Sequence, residues 1–105
     1  MERLDGAFAA LADPVRRGVL LRLTSGPAEA GELARPFTVS RPAVSRHLRV
    51  LREAGLVTAR RQGRSQIYEL SPERLRSARA WFEEADRRWQ VALRSFKQHV
   101  ESTDR

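Results

Sequence analysis

The sequence contains no cysteine and only two histidines, His47 and His99, among its 105 residues. The absence of cysteine excludes disulfide bonds, thiolate metal sites and cysteine nucleophiles. Two histidines are too few for a histidine-rich metal cage within one chain. No run of 18 apolar residues is present, so no segment is predicted to span a membrane. Because residues 1–5 lack the basic-then-apolar pattern of a signal peptide, we expect a cytoplasmic protein.

Signatures of catalysis are also missing. The chain has no evident nucleophile–base pair, no glycine-rich phosphate loop and no pair of carboxylates at a useful spacing. We therefore expect neither an enzyme nor a cofactor. A chain of this length buries one modest core. We predict a single domain over residues 1–100, followed by a frayed tail over 101–105.

The formal net charge is +7, from 20 Lys and Arg against 13 Asp and Glu. Such a balance makes nucleic acid the first expected partner and an acidic membrane surface the second. Residues 40–70 hold seven arginines against Glu53 and Glu69, a net charge of +5, whereas residues 1–39 are neutral. Codon bias in a GC-rich genome explains many arginines, but it does not predict that concentration.

Apolar spacing and turn residues divide the chain into predicted elements. The predictions are helices over about 3–12, from Pro14 to Ser25, over 28–35, over 41–54 and over 72–99, with extended runs over 56–61 and 65–70. A short helix, a tight turn and a second helix form a helix-turn-helix, here over about 28–54. The hairpin over 56–70 is a wing. The predicted fold class is mainly α with a small β-hairpin, a winged helix-turn-helix with a long C-terminal dimerisation helix.

The helix over 41–54 sorts its residues by face, with Val44, Leu48 and Leu51 predicted to point inward. Residues in the first turn of such a helix enter the major groove of DNA, and later residues meet phosphates. The alternative is a solvated helix face. His47 is either a packed histidine whose ring N–H meets a backbone carbonyl, or a phosphate contact. The predicted DNA-binding residues are Ser40, Arg41, Pro42, Ser45, Arg46, Arg49, Arg61 and Arg64.

The last predicted helix carries an apolar seam that alternates large and small residues at heptad spacing: Leu75, Ala78, Phe82, Ala85, Trp89, Ala92 and Phe96. It leaves much apolar surface exposed unless a partner covers it, so we predict a homodimer. The alternatives are that the helix packs only on its own domain, or that its aromatic residues line a ligand pocket. The predicted dimer interface consists of Leu4, Phe8, Leu75, Phe82, Ala85, Trp89, Ala92 and Phe96.

Four segments together resemble the arsenic-repressor (ArsR-type) family of winged-helix transcriptional regulators. They are Ala12-Asp13-Pro14-Val15-Arg16-Arg17, Gly31-Glu32-Leu33-Ala34, the run from Ser40 to Leu51, and Ala54-Gly55-Leu56-Val57. The resemblance implies a dimeric repressor that binds an inverted-repeat operator in double-stranded DNA. It also implies that Arg41, Pro42, Ser45 and Arg46 face the groove and that Arg64 forms the wing tip.

The sequence departs from the metal-sensing members of that family. One family site uses cysteines just after the Glu-Leu-Ala position, and here residues 32–37 offer no ligand. Another family site uses Asp and His on the last helix, where this chain offers the scattered Asp86, His99 and Glu101. The chain therefore resembles the subset without a metal site, and no small-molecule effector can be named from it. A winged-helix protein-interaction adaptor and a non-specific nucleoid-type DNA binder remain the alternative functions.

We predict that the purified protein contains no stoichiometric zinc, nickel or arsenite. The chain has no thiolate, and a single histidine with scattered carboxylates is a poor site for such ions. Elemental analysis after purification without chelator measures this directly, and affinity for DNA should be the same with added metal and with EDTA. One tightly held metal per chain would contradict the prediction.

Overall fold

The computed structural model describes residues 2–103 of the chain. These residues form five helices and one three-stranded antiparallel sheet. In chain order the elements are α1 (Glu2–Leu11), α2 (Pro14–Leu23), β1 (Ala28–Glu29), α3 (Ala30–Ala34), α4 (Arg41–Glu53), β2 (Val57–Gln62), β3 (Ser65–Leu70) and α5 (Pro72–Thr103). Helices α3 and α4 form the helix-turn-helix, β2 and β3 form the wing, and α5 is the long last helix. This is the predicted fold class.

Helix α2 begins at the predicted cap. Asp13 Oδ1 accepts hydrogen bonds from the backbone N–H groups of Val15 at 2.8 Å and Arg16 at 3.2 Å. The N–H of Arg16, as the main cause, holds the pKa of the Asp13 carboxyl below its usual range. Pro14 follows in the first turn, where its missing N–H leaves no hydrogen bond unmade. The carboxylate thus satisfies two backbone donors that the helix itself leaves without partners.

Helix α4, the second helix of the helix-turn-helix, also starts and stops where local signals place it. Ser40 Oγ accepts from the Ala43 N–H at 3.2 Å, and Pro42 lies in the first turn. The helix ends before Gly55, whose φ is +79°. Only glycine adopts that conformation without a steric cost from Cβ, so the predicted C-terminal signal is confirmed.

The wing is a tight hairpin whose register runs from Val57 opposite Leu70 to Gln62 opposite Ser65. Gly63, with a φ of +65°, is the first of its two loop residues. Glycine at that position suits the turn types whose twist matches that of the flanking strands.

A third strand was not predicted. The expected helix over 28–35 is wrong at its start, because Ala28 and Glu29 form β1 and the helix covers only Ala30–Ala34. Ala28 pairs with Tyr68 and Glu29 pairs with Ile67. The strand therefore forms through pairing with β3, a partner distant in sequence, which the local pattern does not reveal.

The core lies where α1, α2, α3 and α4 meet the sheet. The inward side chains predicted for α4 are fully buried, with Val44, Leu48 and Leu51 each at most 1% exposed. They pack with residues from the other elements, among them Ala7, Ala10, Val19, Leu20, Leu23, Ala28, Leu33, Leu56 and Val57. Burial of these side chains thus determines which face of α4 lies against the core.

Helix α5 is longer than predicted. It continues past residue 99 to Thr103, into the expected frayed tail over 101–105. The reason is that no glycine or proline follows Pro72 to end the helix. The final part of that expected tail, 104–105, lies outside the described residues. The 32 residues of α5 span about 48 Å at 1.5 Å per residue. This long helix makes the molecule 72 Å long but only 27 Å wide.

Truncation of Leu51 to alanine should lower the free energy of unfolding by about 2–5 kcal/mol, because it removes buried methyl groups and leaves a cavity. Val50→Ala is the matched control on the same helix, since Val50 is 37% exposed, and it should change that free energy by about 0.5 kcal/mol. Urea denaturation of both variants measures the difference. Equal losses in the two variants would mean that the assigned inward face of α4 is incorrect.

Candidate nucleic-acid interface

The outward face of α4 is polar and accessible along its length. Every predicted DNA-binding residue of the helix-turn-helix is exposed: Ser40, Arg41, Pro42, Ser45, Arg46 and Arg49. The guanidinium of Arg41 rests near α3, since a Cβ at Gly31 would lie 3.5 Å from Arg41 Nη2. Ser45 is small, so it leaves room for a close approach to this face. The structure therefore brings the six residues together on one surface.

The arginines of that face have no acidic partner among the described residues. Five ion pairs occur within the described part of the chain, and none involves Arg41, Arg46, Arg49 or Arg52. On α5, by contrast, Arg79 pairs with Glu83 at 2.8 Å, and Glu84 pairs with two arginines. Hydrogen bonds from Arg87 and then Arg88 hold the pKa of Glu84 below its usual range. Much of the charge on α5 is thus balanced internally, whereas that on α4 is open to an anion.

The wing extends this positive surface. Arg60 is partly neutralised, because its Nε lies 3.4 Å from Glu69 Oε1 and its Nη1 donates to Gln62 Oε1 at 2.9 Å. Arg61 and Arg64, the two wing residues predicted to bind DNA, are exposed and take part in none of the five ion pairs. Arg64 lies in the hairpin loop. The wing therefore presents its open charges at its far end.

His47 is half-buried on α4, as the packed alternative requires, but its partner differs from the expected one. Its Nδ1 lies 3.3 Å from Nη1 of Arg16, not against a backbone carbonyl. Arginine only donates hydrogen bonds, so Nδ1 accepts from Arg16 in the tautomer that carries its proton on Nε2. Sequence reasoning gave Arg16 no role, and the only signal was its place in the quoted Asp-Pro-Val-Arg segment.

The predicted dimer residues lie on α1 and α5 with unequal exposure. Leu4, Phe8, Leu75 and Ala85 are half-buried within the chain, and Ala92 is exposed. Phe82, Trp89 and Phe96 are 57%, 60% and 66% exposed. These aromatic side chains are therefore not part of the core of their own domain, and α5 does not bury them against it.

An aromatic cluster joins the two helices. The ring of Phe8 lies 5.5 Å from the rings of both Trp81 and Phe82, and the latter two are 5.3 Å apart, all edge-to-face. Such pairs contribute beyond the area they bury. They fix α1 on the first half of α5, so the two helices present one continuous apolar surface.

Neither a metal cluster nor a membrane span is found in residues 2–103. No group of three or more His, Asp or Glu side chains there is arranged to hold a metal ion. No helix of that part combines the length and apolar character needed to cross a membrane.

Comparison with known proteins places this architecture. A family model described as a helix-turn-helix domain matches residues 11–60. The HTH-type transcriptional regulator Rv2034 of Mycobacterium tuberculosis is 46% identical over 98 residues, covering 93% of this chain and 89% of its own. The crystal structure of an ArsR family transcriptional regulator, RHA00566, aligns with a TM-score of 0.79 at 39% identity, over 85% of this chain and 92% of its own. The chain belongs to the ArsR family of transcriptional regulators.

A further solved structure, described as that of a possible ArsR-family regulator, is informative about assembly. The homodimeric winged helix-turn-helix DNA-binding domain of Mb0332 from Mycobacterium bovis has a TM-score of 0.67 at 25% identity, over 86% of this chain and 84% of its own. Matched relatives carry names of transcriptional regulators and transcriptional repressors. This ArsR-family chain is accordingly a regulator of transcription and not an enzyme, as the sequence predicted.

Two substitutions separate base contacts from phosphate contacts on the predicted surface. Arg46→Ala should cost about 1–3 kcal/mol of binding and relax discrimination at one base position. Arg64→Ala should weaken binding to all sequences equally and reduce the slope of log affinity against log salt by about one unit. Fluorescence anisotropy titrations over a series of salt concentrations measure both effects.

Arg94→Ala on α5 is the control for loss of one positive charge, because this exposed residue lies far along α5 from the helix-turn-helix. It should leave affinity and salt dependence close to those of the wild type. If Arg46→Ala and Arg64→Ala also bind as the wild type does, the assigned DNA-binding surface is wrong.

Proposed function

We propose that this ArsR-family regulator is a homodimeric repressor that acts in the cytoplasm by binding an inverted-repeat operator. The observation that carries the proposal is the exposed arginine face of α4, open to anions and continued by Arg61 and Arg64 on the wing. A merely solvated face does not account for this concentration of unpaired arginines, since on α5 several arginines are paired with glutamates. Double-stranded DNA is the anion whose shape fits a protruding helix flanked by a wing.

The chemistry of recognition follows from the order of residues along α4. The major groove is about 12 Å wide and admits one helix. Arg41 and Arg46 then lie near base edges, where a guanidinium pairs with O6 and N7 of guanine through two hydrogen bonds. Arg49, further along, and Arg64 on the wing lie near phosphates. Pro42 and Ser45, between the arginines, have short side chains that let the helix approach the DNA closely.

Dimerisation follows from the apolar surface of α1 and α5. Phe82, Trp89 and Phe96 are more than half exposed in the single chain, and a second copy is the partner that the heptad spacing suits. The homodimeric relative supports this assembly. A two-fold axis through such an interface places two copies of α4 one DNA turn apart, about 34–36 Å. That geometry matches two inverted half-sites, and a dimer bound over a promoter blocks transcription.

The proposed repressor does not respond to metal ions. The positions after Glu32-Leu33-Ala34 hold Arg35, Pro36 and Phe37, which are not ligands for soft metals. No cofactor is needed for DNA binding by this surface.

The test is binding to inverted repeats from the promoter upstream of the reading frame, compared with a scrambled duplex of the same composition. The proposal expects tight, salt-dependent binding to one repeat and weak binding to the scrambled duplex. Equal affinity for both duplexes would indicate a nucleoid-type binder. No binding to either duplex at low salt would indicate a protein-interaction adaptor.

Trp89→Ala should dissociate the dimer while leaving the fold of the monomer intact, because Trp89 is 60% exposed in the single chain. An interface tryptophan contributes about 2 kcal/mol or more, and two-fold symmetry counts the loss twice. Dimerisation should therefore weaken by about 4 kcal/mol, and operator affinity should fall although Trp89 does not belong to the predicted DNA surface. Sedimentation equilibrium at micromolar concentration measures the association.

Val91→Ala is the matched control. Val91 is as exposed as Trp89 but lies two residues further along α5, about 200° around the helix and off the seam. It should leave the dimer unchanged. A wild-type protein that sediments as a monomer would refute the dimer outright.

A further inference from the structure

Arg16 makes three contacts that join two parts of the domain. Its Nε donates to the carbonyl of Ala10 at 2.6 Å, and its Nη2 donates to the carbonyl of Ala9 at 3.2 Å. Its Nη1 lies 3.3 Å from Nδ1 of His47 on α4. Arg16 belongs to α2, so one guanidinium connects the end of α1 with the middle of α4.

The contacts at α1 have a clear physical basis. The last four carbonyls of a helix have no partner within the helix, and the negative end of the helix dipole attracts a cation. The planar guanidinium projects its donors in fixed directions. Nε and Nη2 therefore donate to the carbonyls of Ala10 and Ala9 while Nη1 faces His47. Arg16 and His47 are both half-buried, which limits their freedom to exchange these contacts for water.

The same end of α1 is fixed on the predicted dimer helix. Phe8, one residue before Ala9, lies in the aromatic cluster with Trp81 and Phe82 of α5. A continuous set of contacts thus runs from α5 through the rings to α1, and from the α1 carbonyls through Arg16 to His47. His47 neighbours Arg46, which is predicted to read a base. No other polar side chain in the described residues bridges from α1 to α4.

We infer that Arg16 is a positioning residue for operator recognition, with His47 as its receiving group. It fixes the orientation of α4 relative to the α1–α5 pair and therefore sets the distance and angle between the two recognition helices of the dimer. The inference rests on the proposed function, since the spacing of half-sites has meaning only for a dimer on DNA. It requires that Arg16 and His47 act together and that neither contacts a phosphate.

The chain offers a matched control in Arg17. Nη1 of Arg17 donates to the carbonyl of Leu11 at 2.8 Å, so it caps the same helix end as Arg16 does. None of the side-chain hydrogen bonds of Arg17 in the described structure reaches α4. Arg16→Met and Arg17→Met each remove one cation and one capping group from α1, but only the first cuts the connection to His47.

The first experiment measures binding to inverted repeats whose half-sites stand at the preferred spacing and one or two base pairs closer or further apart. Each added base pair turns one half-site by about 34–36° relative to the other. The wild type and Arg17→Met should prefer one spacing sharply. Arg16→Met should bind the preferred spacing about tenfold more weakly, with a flattened profile and an unchanged salt slope.

A single half-site is the control, and the wild type, Arg16→Met and Arg17→Met should bind it with equal affinity. An unchanged spacing profile for Arg16→Met would overturn the inference.

Substitutions of His47 test the receiving group. Gln provides a carbonyl oxygen that accepts from Arg16, whereas Leu has no acceptor. His47→Gln should keep the spacing preference, and His47→Leu should reproduce Arg16→Met, with the double variant no weaker than either single one. If His47→Leu instead lowers the salt slope by about one unit, His47 is a phosphate contact and the inference is wrong.

The second experiment needs no operator. Because the chain has no cysteine, Val50→Cys provides a unique spin-label site on the exposed side of α4. Pulsed electron paramagnetic resonance then measures the distance between the two labels in the free dimer. The distribution should be narrow in the Val50→Cys protein and with Arg17→Met added, and broad with Arg16→Met added. Equal widths would overturn the inference whatever the DNA results, whereas a narrow distribution in a protein that ignores inverted repeats would refute only the proposed function.

Discussion

Helix α4 must bury its apolar face in the core and leave its arginine face in solvent. The arrangement of the molecule depends on this separation of apolar and charged side chains on one helix. Val44, Leu48 and Leu51 lie at spacings of four and three residues and are buried to 1% exposure or less. A rotation of α4 by about 100° that put Ser45, Arg49 and Arg52 in these places would bury arginines without a partner, at a cost of several kcal/mol. Burial of the apolar face therefore decides which arginines reach solvent, although those arginines contribute nothing to the core.

The distribution of ion pairs has the same logic. Exposed ion pairs such as Arg79–Glu83 and Arg22–Glu32 contribute little stability, about 0–1 kcal/mol each. Their effect is on the field of the protein, since they cancel charge over α2 and α5. On α4 and at the wing tip the charges are left uncancelled, and the mutual repulsion there is relieved only when an anion binds. The surface on which like charges repel most strongly is thus the one that a phosphate backbone would stabilise most.

Most of the helices were predictable because their signals are local. Asp13-Pro14, Ser40 and Gly55 are caps whose chemistry acts within one turn, and the structure has helix boundaries at each. Strand β1 was missed because two residues have no periodicity, and they are extended only through pairing with β3. The contact of Arg16 with His47 spans 31 residues of sequence, and nothing in either neighbourhood indicates the other partner. What the sequence hides is non-local pairing, including the polar connection that reaches α4.

Helix α5 shows why such a connection matters. From residue 86 to 103 every residue is exposed, so the second half of the helix does not pack against the rest of the described chain. In the proposed dimer the partner buries the apolar side chains of this half, among them Trp89 and Phe96. Only the first half, through Trp81, Phe82 and Ala78, touches the domain. In the proposed dimer the orientation of the domain is therefore fixed over a short stretch, largely through α1. Contacts at the end of α1 therefore bear directly on that orientation, and the guanidinium of Arg16, which donates to the carbonyls of Ala9 and Ala10, is the one that we propose to extend it to α4.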